Sequence, residues 1–177
     1  MGRKKIKINE DATEDNSKKA AKKSDKIDNL DRRILSMITK DARMPFKLVS
    51  TASGVSRAAI HLRVQRLIDM KVIVGSGYFV NYKALGYEIC AYIGITLERG
   101  SMYADVISEL EKVPEIVESQ YTLGSYSILV KLYAKNTNDL LLILNTKIQG
   151  IQGVAATETL VSLDERIKRP LPIDFEG

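Results

Sequence analysis

Apolar residues in this chain recur at one period up to about residue 71 and at another after residue 88, and that change of rhythm divides the fold. In the first stretch Leu30, Ile34, Leu35 and Ile38 share one face of a 3.6-residue repeat, with Arg32, Arg33, Ser36 and Lys40 on the other. Asp28 or Asn29 offers a cap, so a first helix is expected from there to about residues 41–43. Pro45 suits the first residue of a second, short helix reaching about residue 52, with Leu48 and Val49 inward. Ser53-Gly54-Val55-Ser56 then supplies a tight turn and a capping hydroxyl. A third helix is expected over about 57–71, with Ile60, Val64, Leu67 and Ile68 as its apolar stripe. Three helices, the last two joined by a short glycine turn, make a helix-turn-helix. Residues 72–80 read as two short β runs around Gly75-Ser76-Gly77, which places a hairpin, or wing, straight after the third helix.

After a connector over 81–87 the period becomes two. Ile89, Ala91, Ile93, Ile95 and Leu97 alternate with Cys90, Tyr92, Gly94 and Thr96, a strand pattern. A helix over about 102–113, a strand pair over about 116–123 and 126–134, a helix over about 138–148 and a strand over about 154–163 complete the series. The order β-α-β-β-α-β is the ferredoxin-like sandwich, in which two helices cover one face of a four-stranded antiparallel sheet. The other face, carrying Tyr92, Val130 or their neighbours, needs a cover, which points to a homodimer. The fold class is therefore α+β: a winged helix-turn-helix over 28–80, a connector over 81–87 and a ferredoxin-like domain over 88–177. Residues 1–27 carry almost no large apolar side chains and are expected to form a disordered basic tail. That tail either brushes phosphates or has no role.

Charge is divided as sharply as period. Residues 30–74 hold 9 Lys or Arg against 3 Asp or Glu (+6), whereas residues 75–177 hold 9 against 13 (−4). Such a split implies that one part faces a polyanion. One cysteine, Cys90, makes no internal disulfide and fits a reduced, cytoplasmic setting. No apolar run approaches bilayer-spanning length, so no membrane partner is expected.

Catalysis finds little support. The only histidine, His61, has no nucleophile beside it; no cluster has metal-ligand spacing; no glycine-rich phosphate loop is present. Neither metal nor cofactor is expected, and the chain does not read as an enzyme. The third helix carries the signal instead. Its polar side shows Arg57, His61, Arg63, Gln65 and Arg66, which suits a helix laid into the major groove of duplex DNA. Arg57 and His61, one turn apart near its start, are placed to read bases; Arg63, Arg66 and Lys47 of the second helix are placed to hold phosphates. The alternative is a row of arginines that only solubilises an amphipathic helix.

Leu30-Asp31-x-x-Ile34-Leu35, Asp41-x-Arg43, Gly54-Val55-Ser56, Arg63-Val64-x-Arg66-Leu67 and Val72-Ile73 resemble, in order and spacing, the N-terminal domain of the Lrp/AsnC regulators. Val80-Asn81-x-x-Ala84-Leu85-Gly86 and Thr122-x-Gly124-x-Tyr126 extend the resemblance through the second half. It implies a winged helix-turn-helix, dimers paired sheet to sheet and often assembled into octamers, and amino-acid effectors bound at the seams between dimers. Gly124, Ser125, Tyr126 and Ser127 match the segment near that effector site, although a plain hairpin glycine explains Gly124 equally well. Two positions depart from the pattern. Ser127 stands where the family commonly has Asp, which removes a partner for an amino-acid ammonium and puts an ordinary amino-acid effector in question. Lys71 stands where a glycine usually ends the recognition helix, which puts the cap geometry in question. The reading is a sequence-specific, oligomeric DNA-binding transcriptional regulator modulated by an amino acid, another small molecule, or none. Its rival is an architectural DNA-coating protein with weak sequence preference, and a ferredoxin-like enzyme with an accessory DNA-binding domain stands further back.

Overall fold

The computed structural model describes residues 26–173, which separate into two compact units divided between Tyr78 and Phe79, with residues 169–173 grouped in the first. The tail expected over 1–27 lies almost wholly outside the described residues.

The first unit holds three helices: α1 (Asn29–Ile38), α2 (Phe46–Ser53) and α3 (Arg57–Asp69). Asp28 caps α1 by accepting the Asp31 N–H at 2.8 Å, while the Asp31 carboxylate accepts the Asp28 N–H at 3.0 Å. That reciprocal pair satisfies two backbone donors that would otherwise be orphaned. Gly54 ends α2 at φ +69, a left-handed conformation that costs glycine nothing, and lets the chain turn straight into α3. Ile34, Val49 and Ile60, one from each helix and all fully buried, meet at the centre with Leu30, Met37, Phe46, Val55 and Val64 packed around them. Two expected core residues lie outside it: Leu48 is 57% exposed and Ile68 43%. An eight-residue helix presents only a narrow stripe to its neighbours, and Val49 takes that place.

α3 ends with Lys71 at φ +56, a left-handed turn made by a residue that carries a Cβ. Val72 N–H and Ile73 N–H then close back on the Leu67 carbonyl, so the glycine-type cap is kept without the glycine. The hairpin expected over 72–80 is not formed; no residue there pairs in a ladder. An isolated two-stranded ribbon is marginal in water, and here Val74 and Phe79 are about nine-tenths exposed, with no sheet strand pairing to either. Tyr78 instead lies beneath the Arg43 guanidinium, 5.8 Å from ring centroid to carbon.

The second unit is β1 (Ile89–Leu97), α4 (Tyr103–Leu110), β2 (Ile116–Tyr121), β3 (Ile128–Ala134), α5 (Thr137–Leu142) and β4 (Val154–Ser162), all antiparallel in the order β2-β3-β1-β4. α5 runs on into a π-helical turn over Ile143–Ile148. Alternate residues Ala91, Ile93, Ile95 and Leu97 of β1 and Ile128, Val130, Leu132 and Ala134 of β3 face the helices and bury against Val106, Leu110, Leu140, Ile143 and Ile148. Val130, expected on the open face, is therefore a core residue: it sits opposite Ile93 in register, on the helix side. The open face carries Tyr92, Leu129, Lys131, Tyr133 and Leu160 instead.

Candidate nucleic-acid interface

α3 has two unlike sides. Ile60 and Leu67 are buried, while Arg57, Ala58, His61, Leu62 and Gln65 are exposed, and their spacing puts all five on one face. Ser56 caps the helix by accepting the Ala59 N–H at 3.2 Å, so Arg57 occupies its first position. His61 is seated by an edge-to-face contact with Phe46 of α2, with ring centroids 4.6 Å apart. Lys47, on the exposed side of α2, supplies a further cation. Arg57, His61 and Lys47 are thus open to solvent, as expected of groups that reach a ligand.

Arg63 and Arg66 are employed otherwise. Arg63 Nη1 lies 2.7 Å from Asp28 Oδ2 and 2.8 Å from Asp31 Oδ1, and Arg66 Nη2 pairs with Asp31 Oδ2. Asp31 is completely buried, so this node ties α3 to the start of α1 inside the unit. Both guanidinium groups, expected at phosphates, are thus engaged with a buried carboxylate. For Asp28, burial pushes the carboxyl up, but the hydrogen bonds from Arg63 and the Asp31 N–H outweigh it and hold the group below its ordinary range. The arginines' partners were missed in the sequence although a signal existed. Asp31 falls three residues before Ile34 and four before Leu35, on the apolar stripe, where a carboxylate requires a cation.

In the second unit Gly124–Ser127 form the turn between β2 and β3. Thr122 N–H donates to the Ser127 carbonyl at 2.9 Å, the Thr122 hydroxyl to the Tyr126 carbonyl at 2.7 Å, and Ser127 N–H to the Ile95 carbonyl at 2.9 Å. Gly124 and Ser125 are exposed. Tyr126 folds over β1, its ring resting on Gly94, where a Cβ would lie 2.5 Å from Cγ. Its hydroxyl donates to Glu158 Oε2 on β4 at 2.5 Å, and that bond raises the phenol's pKa. Glu158 therefore brings a carboxylate beside the turn, from a strand distant in sequence, although Ser127 has none. A separate cleft of about 400 Å³ opens at the opposite end of the strands, among Asn81, Tyr82, Cys90, Tyr133, Ser162 and Glu165. Beside it Lys131, buried but for 7%, donates to Glu165 at 3.1 Å and lies over the Tyr92 and Tyr133 rings. Among the described residues no group of His, Cys, Asp and Glu is arranged to hold a metal, and no helix is long and apolar enough to cross a membrane.

Residues 27–68 match the AsnC-type helix-turn-helix domain and residues 90–172 the Lrp/AsnC ligand binding domain. The chain is 40% identical over 145 residues to the regulatory protein AsnC of Haemophilus influenzae, covering 82% of this chain and 97% of that one. The solved structure of Escherichia coli AsnC superposes with a TM-score of 0.79 at 36% identity, over 83% of this chain and 99% of that one. A Neisseria meningitidis transcriptional regulator solved as a complex with L-Met shares the fold, with a TM-score of 0.77 at 16% identity over 81% and 94% of the two chains. A basic helix-turn-helix joined to a ferredoxin-like unit, matched along its length at these identities, settles the family: the chain belongs to the Lrp/AsnC transcriptional regulators.

Proposed function

We propose that this regulator reads duplex DNA through α3, with Arg57 and His61 on base edges and Lys47 on a phosphate. The observation that carries the reading is the division of labour among the basic side chains. Arg63 and Arg66 are tied to Asp28 and Asp31, while Arg57, His61 and Lys47 stand free on the open side of α2 and α3. A helix held rigidly from behind offers pre-placed donors to base edges, so little ordering entropy is lost on binding.

The second unit serves assembly and sensing. Its open sheet face, with Tyr92 and the half-exposed Leu160, is covered by a second copy in a homodimer, and such dimers assemble further, up to an octamer. The turn Gly124–Ser127 receives a small-molecule effector, an amino acid or a chemical relative. Support comes from its exposed Gly124 and Ser125, the Glu158 carboxylate nearby, and the L-Met held by the Neisseria meningitidis regulator of the same fold.

The test is a titration against duplex from upstream of its own gene, across a salt series, with unrelated duplex as competitor. Binding should survive competition and weaken with salt. Arg57→Ala should lose discrimination, and Lys47→Ala should lower the salt slope by about 1. Binding erased equally by any duplex would favour architectural coating instead. Sedimentation as a monomer at micromolar concentration would refute the assembly.

A further inference from the structure

The reading face of α3 contains a side chain that the polar account of it does not explain. Leu62 is 73% exposed, and it stands on the face shared by Arg57, His61 and Gln65. Ala58, exposed and one turn before it, continues the same apolar strip. The helix already fills its share of the core with Ile60 and Leu67, both at 0% exposure, so Leu62 is not needed for folding. A leucine held out in water beside the Arg57 cation gains from a ligand that brings an apolar group together with negative charge. In the major groove of duplex DNA one base feature is apolar, the C5 methyl of thymine, and it lies between rows of phosphates.

From this we infer that Leu62, with Ala58, makes the chain a reader of thymine methyl groups, so that its binding site carries a thymine where the middle of α3 meets the groove. The inference rests on α3 being the reading helix and adds what that helix selects. Arg57, ahead of the strip, and Gln65, one turn behind Leu62, bracket the contact. Gln65 Nε2 donates to Asp69 Oδ1 at 2.9 Å, which orients its amide.

The experiment selects preferred sites for the full chain from a random duplex library and then replaces each thymine in turn by deoxyuridine, which removes the methyl and nothing else. At one position in each half-site the replacement should weaken binding roughly fourfold, the worth of one methyl group taken out of water. Leu62→Gln, which keeps helix propensity, should bind thymine and uracil duplexes alike, with an unchanged salt slope and an unchanged melting temperature. Selection of a clear site with indifference to uracil at every position overturns the inference and leaves the reading helix standing. Equal uracil sensitivity in Leu62→Gln and wild type overturns the assignment to Leu62. Recovery of no preferred site overturns base reading by α3, and the methyl contact with it.

Discussion

Replacing Asp31 by asparagine tests the electrostatic node that seats α3. The two side chains are nearly isosteric, so no cavity opens, and the remaining carbonyl oxygen still accepts the Asp28 N–H. What is lost is one negative charge, fully buried, facing two guanidinium groups whose side chains are 29% exposed. Removing one partner of a buried ion pair costs about 3–5 kcal/mol, and the part-exposure of the arginines puts this case at the lower end, about 3. A unit of roughly fifty residues has a total stability of only about 3–8 kcal/mol, so the change removes a large share of it. The two units can unfold separately, so global urea curves are ambiguous. Native-state hydrogen exchange at buried amides of α1 and α3 reads the first unit alone. Asp31→Leu combined with Arg63→Met and Arg66→Met removes the buried carboxylate together with both guanidinium groups, and should recover part of that loss even though Asp28 then lacks its Arg63 partner. A loss below about 0.5 kcal/mol in Asp31→Asn would refute the reasoning, because the node would then be worth no more than a surface pair.

Four further outcomes are expected. Asp28 is held below its ordinary value of 3.8, so the stability it contributes is present above that value and is lost as pH falls through the lower folded value; an acid titration of hydrogen exchange in the first unit should show this loss, and Asp28→Asn should flatten it. Ser56→Ala removes the α3 cap and should cost about 1 kcal/mol by the same exchange measurement. Lys71→Gly relieves a left-handed residue and should stabilise the first unit by roughly 1 kcal/mol, whereas a loss would show that the lysine side chain is used. Gly94→Ala drives a Cβ into the Tyr126 ring and should cost about 1–3 kcal/mol in calorimetry of the second unit. Truncating Tyr126 to alanine in the same chain should recover part of that loss, and additivity of the two changes would disprove the contact.

Periodicity and punctuation were enough for the architecture. The shift from 3.6 to 2 placed the α-helices and the sheet strands within a few residues of where they lie, because burying one face of an element forces that repeat on the side chains; the short 3-10 turns over Tyr82–Leu85 and Gly100–Met102 carry no such repeat and were not placed. The hairpin over 72–80 was misread because glycines between apolar residues signal strands, whereas pairing needs a brace that local sequence does not encode. The strand pattern placed the turn at Gly124, yet the carboxylate beside that turn comes from Glu158, 32 residues beyond Tyr126, which spacing does not reveal.

The basic face of α3 was legible for the same reason as the fold: a stripe of Ile60, Val64 and Leu67 leaves an opposite face, and basic residues on it imply a polyanion. Which arginines remain available was not legible. Arg57 and Arg63 look alike in a sequence, but the capping box at Asp28 and Asp31 claims Arg63 and Arg66 through contacts spanning 32 to 35 positions. Sequence by itself therefore determined the elements, their faces and the sign of the charge, all set by neighbours within a turn or two of chain. Tertiary structure alone decided which charges are neutralised at home and which face outward, because an ion pair depends on distance in space and on burial, and both arise only when remote segments pack.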